Sequence, residues 1–250
     1  MKYKKRYGEN TGLGYYTCWQ KEKGNGCIYC GNPATTREHC PSKVFLSEPY
    51  PEDLPTIPAC FECNNSFSED EKYVACFLDI LKSTVYSDIN PFPETVERLS
   101  NDNKLAATLK EEIKLEDSKI CYEVNEKRMA RILNKLAICH AGFEFDYVDF
   151  DNVPFIKYHL IFELSDDQIN DFNCIPEINI AAEVGSREIS TPFIIQNISS
   201  GEAIAFAFWN DVQEGRYRYQ VYLNSDGQVV VKIIIFEFLY CEVIFEKQEI

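Results

Sequence analysis

Cys27-Ile-Tyr-Cys30 and Cys60-Phe-Glu-Cys63 place two C-x-x-C pairs on either side of residues 31–59. Each pair holds its sulfurs about one turn apart, and two such knuckles complete a tetrahedral four-sulfur shell. Residues 24–67 are rich in Gly, Pro, Asn and Cys, with little hydrophobic periodicity. This stretch is therefore the part of the chain least able to fold on a core of its own, and the expectation is a structural zinc held by Cys27, Cys30, Cys60 and Cys63. Redox-active pairs are the competing reading, but no βαβ pattern surrounds either one. Cys40 offers a substitute ligand that lacks a knuckle partner. The chain has eleven cysteines, an odd number, and those outside the knuckles show no framework spacing. They read as buried free thiols of a cytoplasmic protein.

The insert between the knuckles is longer than the roughly 15–20 residues of a simple zinc ribbon. It carries Glu38-His39, and Asn64 follows the second knuckle directly. If the insert folds back as a hairpin against the segment starting at Cys60, Glu38 and Asn64 supply two oxygen ligands for a hard cation, Mg²⁺ or Mn²⁺. His39, on the other side of an extended strand, then faces an attacking water. Each residue also has a plainer reading: Glu38 as a surface charge, Asn64 as a turn or helix-start residue, and His39 as a packed side chain. Glu71 is a candidate further ligand, but it pairs with Ser68 in capping-box spacing, which accounts for it without metal. His140 lies on an apolar helix face and reads as a packed histidine.

C-x-x-C, an acid-His pair, a second C-x-x-C and an Asn directly after it, over residues 27 to about 75, resemble the zinc-knuckle HNH endonucleases of the ββα-metal superfamily. The resemblance implies a DNA endonuclease that leaves 5′-phosphate ends, with RNA not excluded. It implies His39 as general base, Glu38 and Asn64 on the catalytic cation, and zinc in a treble-clef-like module. Three features depart from that pattern: Glu38 stands where Asp is usual, Pro41 follows the histidine by two residues, and no Asn precedes the second knuckle. There the chain reads Leu54-Pro55-Thr56-Ile57-Pro58-Ala59, which leaves Thr56 or a backbone carbonyl to support the base. The alternative is a non-catalytic zinc-knuckle module for nucleic acid or protein, joined to an acidic ligand-sensing or oligomerisation body.

Charge is unevenly placed. Residues 1–45 carry eight basic side chains against three acidic ones, while the whole chain has net charge −15. Such a surface cannot coat nucleic acid over its full extent, so phosphate contacts fall to Lys4, Lys5, Arg6, Arg37 and Lys43. The acidic C-terminal region is the place for a homo-oligomer or partner-protein contact.

The fold class expected is α+β. Residues 1–85 form the zinc module with its basic head, 86–150 a helical segment, and 151–250 a mainly antiparallel β region. Helices are expected over about 69–82, 94–116 and 126–140, the last stopping near Gly142. Strands are expected in FIKYHLIFEL, EINIAAEV, PFIIQ, AIAFAFW and RYRYQVYL, with NSDG at 224–227 turning into QVVVKIIIFEF. Arg216, Arg218 and Gln220 alternate with apolar residues and should line a wet face. Charged residues interrupt the longest apolar run, so no membrane span or signal segment is expected.

Overall fold

The computed structural model describes residues 26–117, 119–145, 147, 149–150, 152–174, 176–178, 193–196 and 203–246. Lys4, Lys5 and Arg6 lie outside them. A hairpin of β1 (Thr36–His39) and β2 (Thr56–Ala59) leads into α1 (Phe61–Ser66) and α2 (Ser68–Val85). Next come α3 (Pro93–Asn101), α4 (Asn103–Glu112), a hairpin of β3 (Ile113–Glu116) and β4 (Lys119–Tyr122), and α5 (Glu126–Phe145). The remainder is β5 (Phe155–Leu160), α6 (Asp166–Asn173), β6 (Glu177–Ile178), β7 (Phe193–Gln196), β8 (Ala203–Phe206), β9 (Asn210–Gln213), β10 (Tyr217–Leu223), β11 (Val229–Ile235) and β12 (Leu239–Ile244). A five-stranded antiparallel sheet in the order β5-β12-β11-β10-β9 dominates it, and β6-β8-β7 form a smaller one. Mixed α+β architecture is thus observed. No helix among the described residues is long and apolar enough to cross a membrane.

α2 and α5 form where apolar residues recur at helical spacing, and those residues are the ones buried. Val74, Phe77, Leu78 and Leu81 of α2, with Met129, Ile132, Leu133 and Leu136 of α5, are fully buried. Each such side chain contributes about 1.5–3 kcal/mol on leaving water. The same core takes in Phe45 near the hairpin and Val231, Ile233 and Cys241 of the sheet. One apolar interior therefore crosses all three of the segments that composition distinguishes.

Four expectations are corrected. The polar helix over 94–116 is two helices and a strand, because the Asp102 carboxylate accepts from Leu105 N–H at 3.0 Å and starts a new helix. Ser68 and Glu71 form no capping box: the Ser68 hydroxyl bonds Asn65 O at 2.8 Å, and Glu71 is buried elsewhere. α5 does not stop near Gly142. A Cβ there would stand 2.1 Å from Ile28 Cδ1, so the glycine admits the first knuckle against the helix. The face of Arg216, Arg218 and Gln220 is not wet. Arg216 lies 3.5 Å from the Phe92 ring centre, Arg218 makes a two-pronged pair with Glu237 at 2.8 and 2.9 Å, and Gln220 donates to Ala207 O at 2.8 Å. Segments distant in sequence cover that face, which alternation along one strand does not reveal. The NSDG turn forms as expected, with Gly227 at φ 74° and Asn224 Oδ1 accepting from Asp226 and Gln228 N–H.

His140 is packed. It is fully buried, stacked on Tyr219 with ring centres 3.7 Å apart, with Nε2 2.7 Å from Tyr217 Oη and Nδ1 3.4 Å from Cys40 Sγ. Burial, aided by the Lys135 charge, pushes its pKa down to about 3. The unfolded chain therefore takes up this proton first as pH falls, and stability drops between about pH 6.5 and 3, by about 1.4 kcal/mol per unit. Urea melts of wild type and His140→Gln across that window should show a steeper loss for wild type. Parallel curves would rule out a neutral buried imidazole.

Candidate metal centre

The two knuckles converge because each is closed by its own backbone. Cys27 O accepts from Gly31 N–H at 2.8 Å and Cys27 N–H donates to Asn32 O at 2.6 Å, with Gly31 at φ +73°. Cys60 caps α1, its sulfur accepting from Cys63 N–H at 3.3 Å, and its carbonyl accepts from Asn64 N–H at 3.0 Å. The sulfurs of Cys27, Cys30, Cys60 and Cys63 lie within 4.8 Å of one another, with Cys30 and Cys60 3.8 Å apart. Four sulfurs at about 2.3 Å from a tetrahedral zinc stand about 3.8 Å apart, so this group can hold a zinc ion. Burial and the neighbouring Cys60, Cys30 and Cys27 push the Cys63 thiol up. Such a cluster becomes thiolate when a cation supplies the compensating charge.

β1 and α1 are tied directly. Thr35 Oγ1 accepts from Phe61 N–H at 3.1 Å, and Thr36 Oγ1 accepts from Asn64 Nδ2 at 3.1 Å. Thr36 and Glu38 share one face of β1, so Asn64 lies on the Glu38 side. The insert does fold back as a hairpin, but within itself, β1 against β2, with Glu38 opposite Ile57 and His39 opposite Thr56; the segment starting at Cys60, expected as the partner strand, is helix α1. His39 is half-buried on the other face, together with Arg37, whose Nη2 donates to Thr56 O at 2.9 Å. Thr56, the anticipated support for the base, is therefore the cross-strand neighbour of His39, although its hydroxyl receives Arg37 Nε at 3.4 Å. Lys43 is exposed, its ammonium 4.6 Å from the Tyr50 ring centre.

Glu38 is not a surface charge. It is buried, and its Oε1 accepts from Lys135 Nζ at 2.9 Å and from Ser42 Oγ at 3.4 Å. Glu71 Oε1 accepts from the same ammonium and the same hydroxyl, each at 2.5 Å, and Lys135 also donates to Ser42. Burial raises the Glu38 carboxyl, with the Lys135 charge opposing it. One ammonium shared by two carboxylates cannot offset the desolvation of both. Glu38 Oε2, Glu71 Oε2 and Asn64 Oδ1 make no hydrogen bond among the described residues, and none is a fully buried orphan. Each can still turn to a cation or water. The Tyr29 hydroxyl, by contrast, is buried and without a hydrogen-bond partner among the described residues.

Sequence reasoning missed Lys135 and Ser42 in this cluster, and set Glu71 aside as a capping residue. A signal existed: Lys135 interrupts the apolar face of α5 between Ile132 and Cys139, where a charge needs a partner. Comparison with known proteins finds no matching family model, no matching curated protein and no matching solved structure.

Proposed function

We propose that the hairpin–helix module is a zinc-stabilised, treble-clef-like HNH endonuclease that hydrolyses phosphodiester bonds in DNA. The supporting observation is the tie between Asn64 and Thr36, which holds an amide on the same side of β1 as Glu38 while His39 occupies the next strand position. Two oxygens with unused lone pairs, Glu38 Oε2 and Asn64 Oδ1, match the hard donors that Mg²⁺ or Mn²⁺ requires. Such a cation, when bound, supplies Lewis-acid stabilisation of the phosphoryl oxygens. His39 accepts the proton of the attacking water. Arg37 and Lys43 attract the phosphate backbone. Lys135 fixes the other oxygen of Glu38 and neutralises one of the two clustered carboxylates.

A second reading has its own observation. An ammonium bonded to Glu38 is also what a module without a catalytic cation would use to neutralise that carboxylate. It would bind nucleic acid or protein without cutting. Nicking of supercoiled plasmid with and without Mg²⁺ or Mn²⁺, comparing wild type with His39→Ala, separates the two. The endonuclease should nick only with cation, and the variant should lose about 10²–10⁴-fold in rate at unchanged zinc content. Cation-independent nicking, or none by wild type, would defeat the nuclease reading. A parallel RNA substrate reports the choice of nucleic acid.

A further inference from the structure

The face of the large sheet turned away from α5 carries a polar row across three strands: Lys157 of β5 stands opposite Glu242 of β12, which stands opposite Lys232 of β11. Gln220 of β10 extends this row beside Lys232, and the next row holds Arg218, Ile234, Tyr240 and His159. The row buries Lys232 but leaves Lys157 exposed and Glu242 half-buried, so the cost of desolvation falls on Lys232. Lys157, Glu242 and Lys232 form the floor of a cavity of about 260 Å³, closed on one side by Asp171 and Phe172 of α6. This is a little below the roughly 300–1,000 Å³ of drug-sized sites.

Lys232 is the informative member. It is only 7% exposed, yet its ammonium makes no ion pair with any carboxylate of the described residues. Among the described residues its one hydrogen bond goes to Phe172 O at 3.2 Å, with the Phe172 and Tyr222 ring centres 5.1 and 5.8 Å away. An ammonium has three donors, so two make no hydrogen bond among the described residues. Burial pushes its pKa down, with Glu242 opposing. Capping the last turn of α6 accounts for that hydrogen bond but not for placing a charge where a methionine would pack at lower cost. The cavity offers two cations and two anions, Lys157 and Lys232 against Glu242 and Asp171. The edge-to-face rings of Phe172 and Tyr240, 5.2 Å apart, supply an apolar wall.

We propose that this cavity binds a small organic zwitterion of amino-acid size, its carboxylate held by Lys232 and Lys157 and its ammonium by Glu242 and Asp171, with its side chain against Phe172 and Tyr240. The site lies on the opposite face of the sheet from the metal centre and does not depend on the nuclease reading.

Calorimetric titration and thermal melting of the full chain with the twenty amino acids, taken singly at millimolar concentration, test it. At least one should bind and raise the melting temperature. Lys232→Met and Glu242→Gln should each weaken that binding about tenfold or more, the loss expected for a hydrogen bond to a charged group. The ligand-free melting temperature of Lys232→Met should equal or exceed that of wild type, because an apolar chain replaces an unpaired ammonium. The proposal is overturned if no amino acid binds, or if both variants bind like wild type. Binding of nucleoside monophosphates or inorganic phosphate in place of amino acids also overturns it. So does a Lys232→Met variant that melts lower with binding intact, which would make the lysine a helix cap only.

Discussion

Purified wild-type protein should carry stoichiometric zinc, and Cys60→Ser should lose it together with the fold of the hairpin module. The apolar support there is thin. Cys27, Ala59 and Cys60 form one small patch and Ile28, Cys40, Ile57, Cys139 and Phe143 another, both separate from the main core. In small zinc domains the metal contributes on the order of 10–16 kcal/mol of apparent binding energy, so its loss outweighs what such patches provide. Cys60 carries two functions at once, since it caps α1 and supplies a sulfur. The expected damage is local. Amide exchange should speed up at residues 26–40 and 56–66, while Phe45, Leu46 and Leu54 stay in the main core with Tyr73, Leu133 and Ile233, to which the knuckles do not contribute. Metal analysis and exchange mass spectrometry check this. Wild type without zinc but with a protected hairpin would show that sulfur packing alone holds the module.

Lys135→Ala should destabilise the chain by about 3–5 kcal/mol at neutral pH, the range found when one partner of a buried ion pair is removed. The side chain is fully buried and bridges Glu38 and Glu71. Burial works to lower the Lys135 pKa, but Glu71 and Glu38 together hold it above its ordinary value, so the ammonium stays charged. Removing it leaves two carboxylates facing each other. Burial already raises the Glu38 carboxyl and Lys135 opposes that rise, so without the lysine the penalty is full above the raised Glu38 value and fades as pH falls into the ordinary carboxylate range. Adding Glu38→Gln and Glu71→Gln to Lys135→Met should recover much of the loss. Urea unfolding at several pH values measures both effects. A deficit below about 1 kcal/mol, the worth of a surface pair, would mean that the cluster is not desolvated.

The zinc-ligand candidates were legible because C-x-x-C spacing is local: two sulfurs one turn apart need no long-range information. The apolar faces of α2 and α5 were legible for the same reason, as was the turn at Asn224–Gly227; that the insert folds back was legible, but its partner strand, Thr56–Ala59 rather than the segment from Cys60, was not. The misreadings share the opposite cause. Ser68 and Glu71 have capping-box spacing, yet Glu71 is drawn to an ammonium 64 positions later in the chain. Gly142 looked like a helix end and is instead a point of close approach between helix and knuckle.

By itself, then, the sequence determined a four-cysteine group, an acid-His pair placed between its halves, and an α+β order of elements, because hydrophobic period and knuckle spacing act over a few residues. Tertiary structure alone decided that Glu38 shares Lys135 with Glu71, that the polar face of β10 is covered, and that Lys232 lines a cavity. Each of these depends on which distant side chain removes water from a charge, and desolvation is a property of the packed neighbourhood rather than of any segment.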